Sequence, residues 1–127
     1  MQKTVEQAIH DIIWKHLSEK IDVYDSRPMT EVAYPFADFE ELYTTYTGAK
    51  NGATATVTAT VNIWNTEYER MEVSAACNGL LLMALQTTKA YGHMVTLRLG
   101  ESSVLVQQDR TVTPPIWRGM VILTFSI

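Results

Sequence analysis

The stretch ATATVTATVNIW, residues 53–64, decides the fold class of this 127-residue chain. Alanine, valine and isoleucine alternate here with threonine and asparagine, so one face is apolar and the other is polar. A period of two is typical of a β-strand that rests one face on a core. The pattern therefore predicts a long antiparallel strand. Its threonine face is expected to meet either water, or another subunit or a lumen.

One predicted helix precedes this strand and another follows it. Residues 4–19 place apolar side chains at helical spacing, with Thr4 as N-cap and Gln7 as its capping-box partner. Residues 66–88 carry a second apolar stripe that begins after Thr66, the predicted N-cap. The C-terminal half of this helix is apolar nearly all round, which predicts burial. Three small residues predict close packing on a sheet, namely Ala75, Ala76 and Gly79.

The remaining segments are interpreted as strands and loops. Residues 32–42 form a strand in which Pro35 cannot donate to a ladder, so Pro35 marks an edge strand or a strand start. Residues 43–52 end in the hairpin-turn dipeptide Asn51-Gly52 and are expected to form a mobile loop. Short strands are predicted at 94–99 and 103–108, a second loop at Asp109–Pro115, and a central strand, apolar on both faces, at 116–126.

The order of these elements gives the fold class. Hairpin-like strand pairs separate the two helices, which is typical of an α+β domain. We expect one mostly antiparallel β-sheet with two α-helices packed on one face. A mass of 14.3 kDa suits one domain over residues 1–127, because two domains would each be near the lower limit for a stable core.

Negative charge is concentrated in one segment of the chain. The net charge is −4, and the basic residues are scattered singly, which disfavours a general nucleic-acid-binding surface. The segment 19–41 is rich in acids and carries only two basic residues. It is interpreted as a solvated face, or as a surface that repels DNA or docks a basic partner. The acids considered for this surface are Asp22, Asp25, Glu31, Asp38, Glu40 and Glu41.

The sequence offers no pattern for catalysis or for a cofactor. His10, His16 and His93 lack metal-ligand spacing. The single cysteine, Cys77, lies on an apolar helix stripe and is predicted to be a small core residue. Phosphate-binding, dinucleotide-binding and nucleophile-elbow motifs do not occur. We therefore predict no catalytic, cofactor or metal site, and a structural or binding protein instead of an enzyme.

Three further features bear on the compartment. The first residues contain charges where a signal peptide needs an apolar run. No stretch approaches the ~20 apolar residues of a membrane span. One cysteine excludes an internal disulfide and fits a reducing compartment. We expect a soluble, cytosolic protein that does not bind membranes.

Several segments, taken in order, resemble the tail-completion or tail-terminator proteins of long-tailed bacteriophages, which join the tail tube to the head. They are the helix AIHDIIWKHL (8–17), the strand YPFADFEEL (34–42), the strand end VNIWNTEYER (61–70), the helix AACNGLLLMAL (75–85), and the loop and last strand RTVTPPIWRGMVILTFSI (110–127). The resemblance covers most of the chain and consists of patterns of shape.

The resemblance implies a structural subunit of the virion tail, assembled in the cytoplasm of the host bacterium. It implies a ring, expected to be a hexamer, that caps the finished tail tube, stops its polymerisation and offers a surface to the head connector. The partners would be further copies, the tail-tube protein and the head connector protein. DNA would pass through a lumen lined by the acids named above or by the threonine face, without specific binding.

Interface candidates follow from residue type within this picture. They are Trp14, Tyr43, Tyr46, Lys50, Arg110, Trp117 and Arg118. Two other readings stay open. One is a different head–tail connector or tail-tube component, which would polymerise without limit if it formed the tube. The other is a small-molecule-binding or enzymatic α+β domain, which would need a pocket that gathers the histidines with Tyr24, Tyr34 and Tyr91.

Overall fold

The computed structural model describes residues 2–49 and 52–127. Its helices are α1 (Val5–Ser18) and α2 (Arg70–Gln86), with a 3-10 turn at Leu99–Glu101. Its strands are β1 (Asp22–Tyr24), β2 (Phe36–Ala49), β3 (Gly52–Asn65), β4 (Lys89–Ala90), β5 (His93–Met94), β6 (Thr96–Leu97), β7 (Ser103–Asp109) and β8 (Ile116–Ser126).

Six of these strands form one sheet. The order is β1-β2-β3-β8, and both β6 and β7 pair with the far side of β8. Only the β1–β2 pair is parallel, while the other pairs of this sheet are antiparallel. Strands β4 and β5 form a separate two-stranded sheet. The predicted α+β class with a mostly antiparallel sheet is confirmed, and the last strand is central, as its sequence indicated.

The core lies between the helices and one face of the sheet. On β3 the side chains of Val57, Ala59, Val61 and Ile63 are buried, as the alternation predicted. Both helices pack residues into the same cluster, contributing Ala8, Ile9, Ile13 and Leu17 from α1 and Val73, Cys77, Leu80 and Ala84 from α2. Both helices therefore cover one face, and β2 and β3 extend from beneath them.

The starts of the two helices differ. The backbone N–H of Gln7 donates to the Thr4 hydroxyl at 3.1 Å, so the predicted N-cap of α1 is confirmed. The Gln7 side chain donates to Asp11 at 2.8 Å instead of bonding back to Thr4. The prediction of a capping box is therefore wrong. Helix α2 begins at Arg70, later than predicted, and has no side-chain cap. Thr66 is not its N-cap.

The predicted loop at residues 43–52 is wrong. Strand β2 continues to Ala49 and β3 starts at Gly52, so the two strands form a hairpin with 14 residues on each side. Threonine and tyrosine favour strands, and here each of them has a partner across the hairpin. One register irregularity interrupts the ladder, between Phe39 and Glu41. Asn51 of the predicted turn lies outside the described residues.

The closest approach between α2 and the sheet occurs at a glycine of the sheet. A Cβ added at Gly119 of β8 would lie 2.2 Å from the Cys77 sulfur and 2.8 Å from a Val73 methyl. A Cβ added at Gly79 would meet nothing within 4 Å. The small-residue prediction is therefore wrong for Gly79 and for the exposed Ala75, whereas Ala76 packs against the core as predicted. The prediction that the second half of α2 is buried is also wrong, because Leu82 and Leu85 are nearly half exposed.

The threonine face of β3 is wet only towards the hairpin end. Thr54 is exposed, whereas Thr60 and Asn62 are buried. Beyond them a second, smaller apolar cluster joins Trp64 to Phe36 and Ile116. Val32, in the chain between β1 and β2, packs against this cluster. The threonine face is therefore covered near the C-terminal end of β3.

Candidate subunit interface

Tyr43 and Tyr46 lie on the outer half of β2. Their side chains are 48% and 72% exposed, respectively. Tyr43 pairs with Thr58 and Tyr46 with Ala55, and residues three apart on a strand face opposite sides of the sheet. Both predicted interface candidates therefore lie on the surface, one on each face. Lys50 lies outside the described residues.

Arg110 is exposed directly after β7. Its guanidinium Nε donates to the Gln108 side chain at 2.8 Å. Next to it, Asp109 accepts hydrogen bonds from the Thr111 hydroxyl at 2.6 Å and from the Thr111 backbone N–H at 2.9 Å. These bonds hold the pKa of the Asp109 carboxyl below its ordinary value. The charged turn is thus fixed, and Arg110 is presented to solvent.

Trp14 is covered by the protein itself. Its ring is stacked with Phe39 of β2 at a centroid distance of 6.4 Å and with His10 at 5.5 Å. It packs against the main core and is partly buried. The contacts come from His10 of α1 and Phe39 of β2. The contact with Phe39 could not be predicted from the sequence, because it joins two elements that are far apart along the chain.

His10 is bound from both sides. One ring nitrogen, Nδ1, is 2.9 Å from Asp11 and the other, Nε2, is 2.6 Å from Asp25. Burial disfavours the charged imidazolium, but the hydrogen bonds to Asp11 and Asp25 outweigh it and raise the pKa of His10. Asp11 is also paired with Lys3, and its pKa falls to about 2. This cluster fastens α1 to the segment after β1.

Arg118 is the centre of a polar cluster on the opposite face of the sheet from the helices. It donates to the Asn62 side chain at 2.9 Å and to Glu40 at 2.7 Å. Asn62 and the Trp64 indole donate in turn to the Asp38 carboxylate, at 3.0 and 2.9 Å. Asp38 is only 1% exposed. The structure therefore removes Asp38 from the predicted acidic surface and makes it a link between β2 and β3.

Arg27 belongs to the same cluster and was not singled out in the sequence. Its guanidinium lies 4.0 Å from the centroid of the Trp64 ring, and that of Arg118 lies 5.4 Å from it. Contacts between a guanidinium and an aromatic face are attractive. No spacing rule could reveal the contact, because Arg27 lies in an irregular segment far from Trp64 in sequence.

Trp117 ties β8 to the segment before α2. Its indole N–H donates to the carbonyl of Glu67 at 2.9 Å. The guanidinium of Arg70 lies 5.4 Å from the centroid of its ring. The side chain is partly buried. Trp117 is thus engaged within the chain, like Trp14. Among the four aromatic interface candidates, Tyr46 is the most exposed.

Five of the six acids considered for the acidic surface are exposed. Asp25 is bound by His10 and Glu40 by Arg118, whereas the other exposed acids form no ion pair among the residues that the structure describes. The five exposed acids are Asp22, Asp25, Glu31, Glu40 and Glu41. They lie on β1, on the first part of β2 and on the chain between them.

Two features of the sheet edges were missed in the sequence. Strand β7 forms one edge, and a groove of about 840 Å³ runs between it and α2. Met71, on the groove, is largely exposed. At the other edge β1 covers β2 only as far as Asp38. Neither feature has a local signature, because edge position depends on which strands pair.

A second cavity, of about 620 Å³, lies between α1, α2 and the end of β3. Buried residues such as Ile63 and Val73 line it together with exposed charged residues such as Glu19 and Glu72. His16 is the single histidine on its walls, and the tyrosines considered for a small-molecule site are not on them. This cavity therefore does not gather the groups that a small-molecule reading would need.

Residues 2–49 and 52–127 contain no group of three histidine, cysteine, aspartate or glutamate side chains placed to hold a metal ion. Over the same part of the chain, no helix has the length and apolar character needed to cross a membrane.

Comparison with known proteins finds the fold but no family. No protein-family model matches the chain, and no curated protein matches its sequence significantly. Among solved structures, the chain is similar to one from the "Virion of native gene transfer agent (GTA) particle". The TM-score is 0.61 with 14% sequence identity, and the match covers 96% of this chain and 90% of the other. At this identity the likeness shows a shared fold.

Proposed function

We propose that this protein is a structural subunit of a virion tail. Its copies form a ring that caps the tail tube, ends polymerisation of the tube and offers a joining surface to the head connector. The ring is proposed to be a hexamer, and residues 1–127 act in it as one domain. The subunit has no catalytic task.

The observation that carries this proposal is the shared fold with a chain of a virion particle, over nearly the whole length of both chains. Fold likeness alone is an analogy, because one fold can host many functions. The resemblance of the sequence segments to tail-terminator proteins supports the same conclusion independently.

The surface of the subunit fits an assembly task. The hairpin of β2 and β3 carries exposed tyrosine and threonine side chains, and both edges of the sheet are open over part of their length. The five exposed acids place negative charge along β1, the first part of β2 and the chain between them, and this charge repels DNA. A ring through which DNA passes needs such a surface, because phosphate-binding side chains would hold the DNA back.

Absolute mass by light scattering across a concentration series, with negative-stain imaging of the same fractions, tests the proposal. Closed rings of one size are expected, and their mass gives the number of subunits. A protein that stays monomeric at every concentration, and that chemical crosslinking also fails to capture as an oligomer, contradicts a self-assembling ring.

A tail-tube subunit is the second candidate. The open edges on both sides of the sheet favour it as well, since head-to-tail contacts generate both rings and open assemblies. Long tubes in the same images, growing with protein concentration, would support this candidate over the terminating ring.

A further inference from the structure

We propose that neighbouring copies join edge to edge, with the open edge of β2 in one copy added to β7 of the next, so that Tyr46 enters the groove between α2 and β7. The partner at this surface is a second copy of this chain. The inference rests on the proposed ring and names the contact that closes it.

Strand β7 is an unprotected edge. Among the described residues, nothing pairs with its outer side. From Ser103 to Gln108 it carries neither a charge nor a proline, and Val104 and Leu105 are exposed. Soluble proteins normally blunt such an edge with lysine, proline or a bulge. An uncharged edge with free N–H and carbonyl groups is therefore suited to binding another strand.

The outer edge of β2 has the matching character. Strand β1 pairs with it only at Phe36–Asp38. From Leu42 to Gly48 it contains no charge and no proline, and most of its residues are tyrosine or threonine, which favour strands. The charged pair Glu40-Glu41 and the register irregularity lie before this stretch. The open edge of β2 in one copy can therefore pair its main-chain N–H and carbonyl groups with those of β7 in the next copy.

The direction of the strands also fits. Strands β2, β3, β8 and β7 are each antiparallel to the next, so β2 and β7 run in opposite directions. In a ring whose strands rise along the axis, all copies keep the same direction. The β2 strand of one copy then meets β7 of its neighbour as an antiparallel pair, which is the slightly more stable arrangement.

The open edges of β2 and β7 lie at different levels along the strand direction, so pairing them requires the strands to tilt relative to the ring axis. Ser103 pairs with Ile122, which pairs with Thr60, which pairs with Glu41. The open part of β2 therefore begins beyond the level of β7, and pairing needs a shift of about four to six residues. Over four strands spaced by ~4.8 Å, with ~3.3 Å per residue, this shift corresponds to a tilt of about 35–45°. Strands in closed barrels tilt by that amount.

The side of the sheet on which Tyr46 stands determines which surface of the next copy it can contact. Thr44, two residues earlier on the same face, donates to Glu6 of α1 at 3.0 Å, so Tyr46 stands on the helix side of the sheet. In a sheet that continues from copy to copy, the helix side of one copy adjoins the helix side of the next. The groove beside β7 lies on that side, between the strand and α2.

The groove suits a tyrosine side chain. Its walls include Met71, Leu81 and Val104 for the ring, and Ser74, Asn78 and Ser102 as hydrogen-bonding groups for the hydroxyl. Tyrosine combines an apolar body with a polar tip and usually finds a partner for its O–H when buried. Tyr43 stands on the other face and cannot reach this groove, which makes it a matched control.

Crosslinking through introduced cysteines tests the contact. One variant carries Tyr46→Cys and Val104→Cys, and the control carries Tyr43→Cys and Val104→Cys. The native Cys77 is buried with its pKa raised to about 11, so it does not compete. With a short bismaleimide, the first variant should give a ladder of covalent oligomers that ends at the size of the ring. The control should stay largely monomeric.

Two results would overturn the inference: no ladder at any protein concentration, or an equal ladder in the control. As a second measurement, Tyr46→Ala should weaken self-association at least tenfold, and Tyr43→Ala less than threefold, with circular dichroism verifying the fold of both. Closed rings that are insensitive to Tyr46 would refute this contact and leave the ring standing. Ladders that grow into open filaments would support the contact and refute the capping ring.

Discussion

Gly119 allows α2 to approach the sheet at the position of Cys77, and a larger residue there would collide with buried side chains. We predict that Gly119→Ala lowers the free energy of unfolding by about 1–3 kcal/mol, the usual cost of overpacking a core. Urea denaturation measures the change. The control is Gly79→Ala, which has open space around its Cβ and should gain about 0.5–1 kcal/mol, because alanine favours a helix. Equal stability of Gly119→Ala and the wild type would contradict the close approach.

His10 makes stability depend on pH. The pKa of His10 is raised, because its hydrogen bonds to Asp11 and Asp25 outweigh the effect of burial. A raised pKa contributes stability that is fully present below the unfolded value of about 6.5 and is lost as the pH rises through the folded value. We predict a larger free energy of unfolding near pH 6 than near pH 8, measured by urea denaturation at both values.

The difference between the two pH values should shrink in His10→Gln, which cannot be protonated. It should shrink less in Asp25→Asn, since the contact with Asp11 remains in that variant. A pH dependence that is unchanged in His10→Gln would assign the effect to other groups.

At the scale of elements, the start of α1 rests on one side-chain cap. The Thr4 hydroxyl accepts the Gln7 backbone N–H at 3.1 Å. We predict that Thr4→Ala costs about 0.5–2 kcal/mol of stability, because that N–H loses its partner. Thr4→Ser retains the hydroxyl and should stay within about 0.5 kcal/mol of the wild type. Thermal unfolding followed by circular dichroism compares the three proteins, and a neutral Thr4→Ala would mean that the cap contributes little.

The elements that the sequence predicted best are those with a long, uninterrupted period. The alternation in β3 and the apolar stripe of α1 each extend over more than ten residues, and the structure has both within a residue or so of the predicted ends. In the second half of β2 the local signals compete. Gly48 and Asn51-Gly52 indicate a turn, while the tyrosines and threonines favour a strand. The pairing with β3 decides the outcome, and a partner strand is not a local property.

The candidate site was harder to predict, because its contacts join distant parts of the chain. Asp38 receives hydrogen bonds from residues 24 and 26 positions away, and Glu40 meets Arg118 across 78 positions. Composition and spacing could identify these residues only as charged or aromatic side chains, and could not show which of them are in contact. The exposure of Tyr43 and Tyr46 agreed with their selection, but whether they serve as an interface stays a prediction.

At the scale of the whole molecule, the position of the charges matters as well as their sum. Three exposed acids, Asp22, Glu31 and Glu41, lie in the acidic segment and form no ion pair among the described residues. The triple change to lysine moves the net charge from −4 to +2. We predict that it tightens DNA binding at least tenfold at low salt and steepens the dependence of log K on log salt by about 3, because each lysine can neutralise one phosphate.

Fluorescence anisotropy with labelled double-stranded DNA measures this effect over a salt series. The control is a second triple change to lysine with the same net charge, at Glu69, Glu72 and Glu101 outside the acidic segment. If both variants bind DNA equally tightly, the net charge alone determines DNA binding, and the position of the acidic surface has no separate effect. If the first binds much more tightly, the clustered acids keep DNA off one side of the subunit, as a lumen lining must. Wild-type binding to DNA at physiological salt would contradict the lumen assignment altogether.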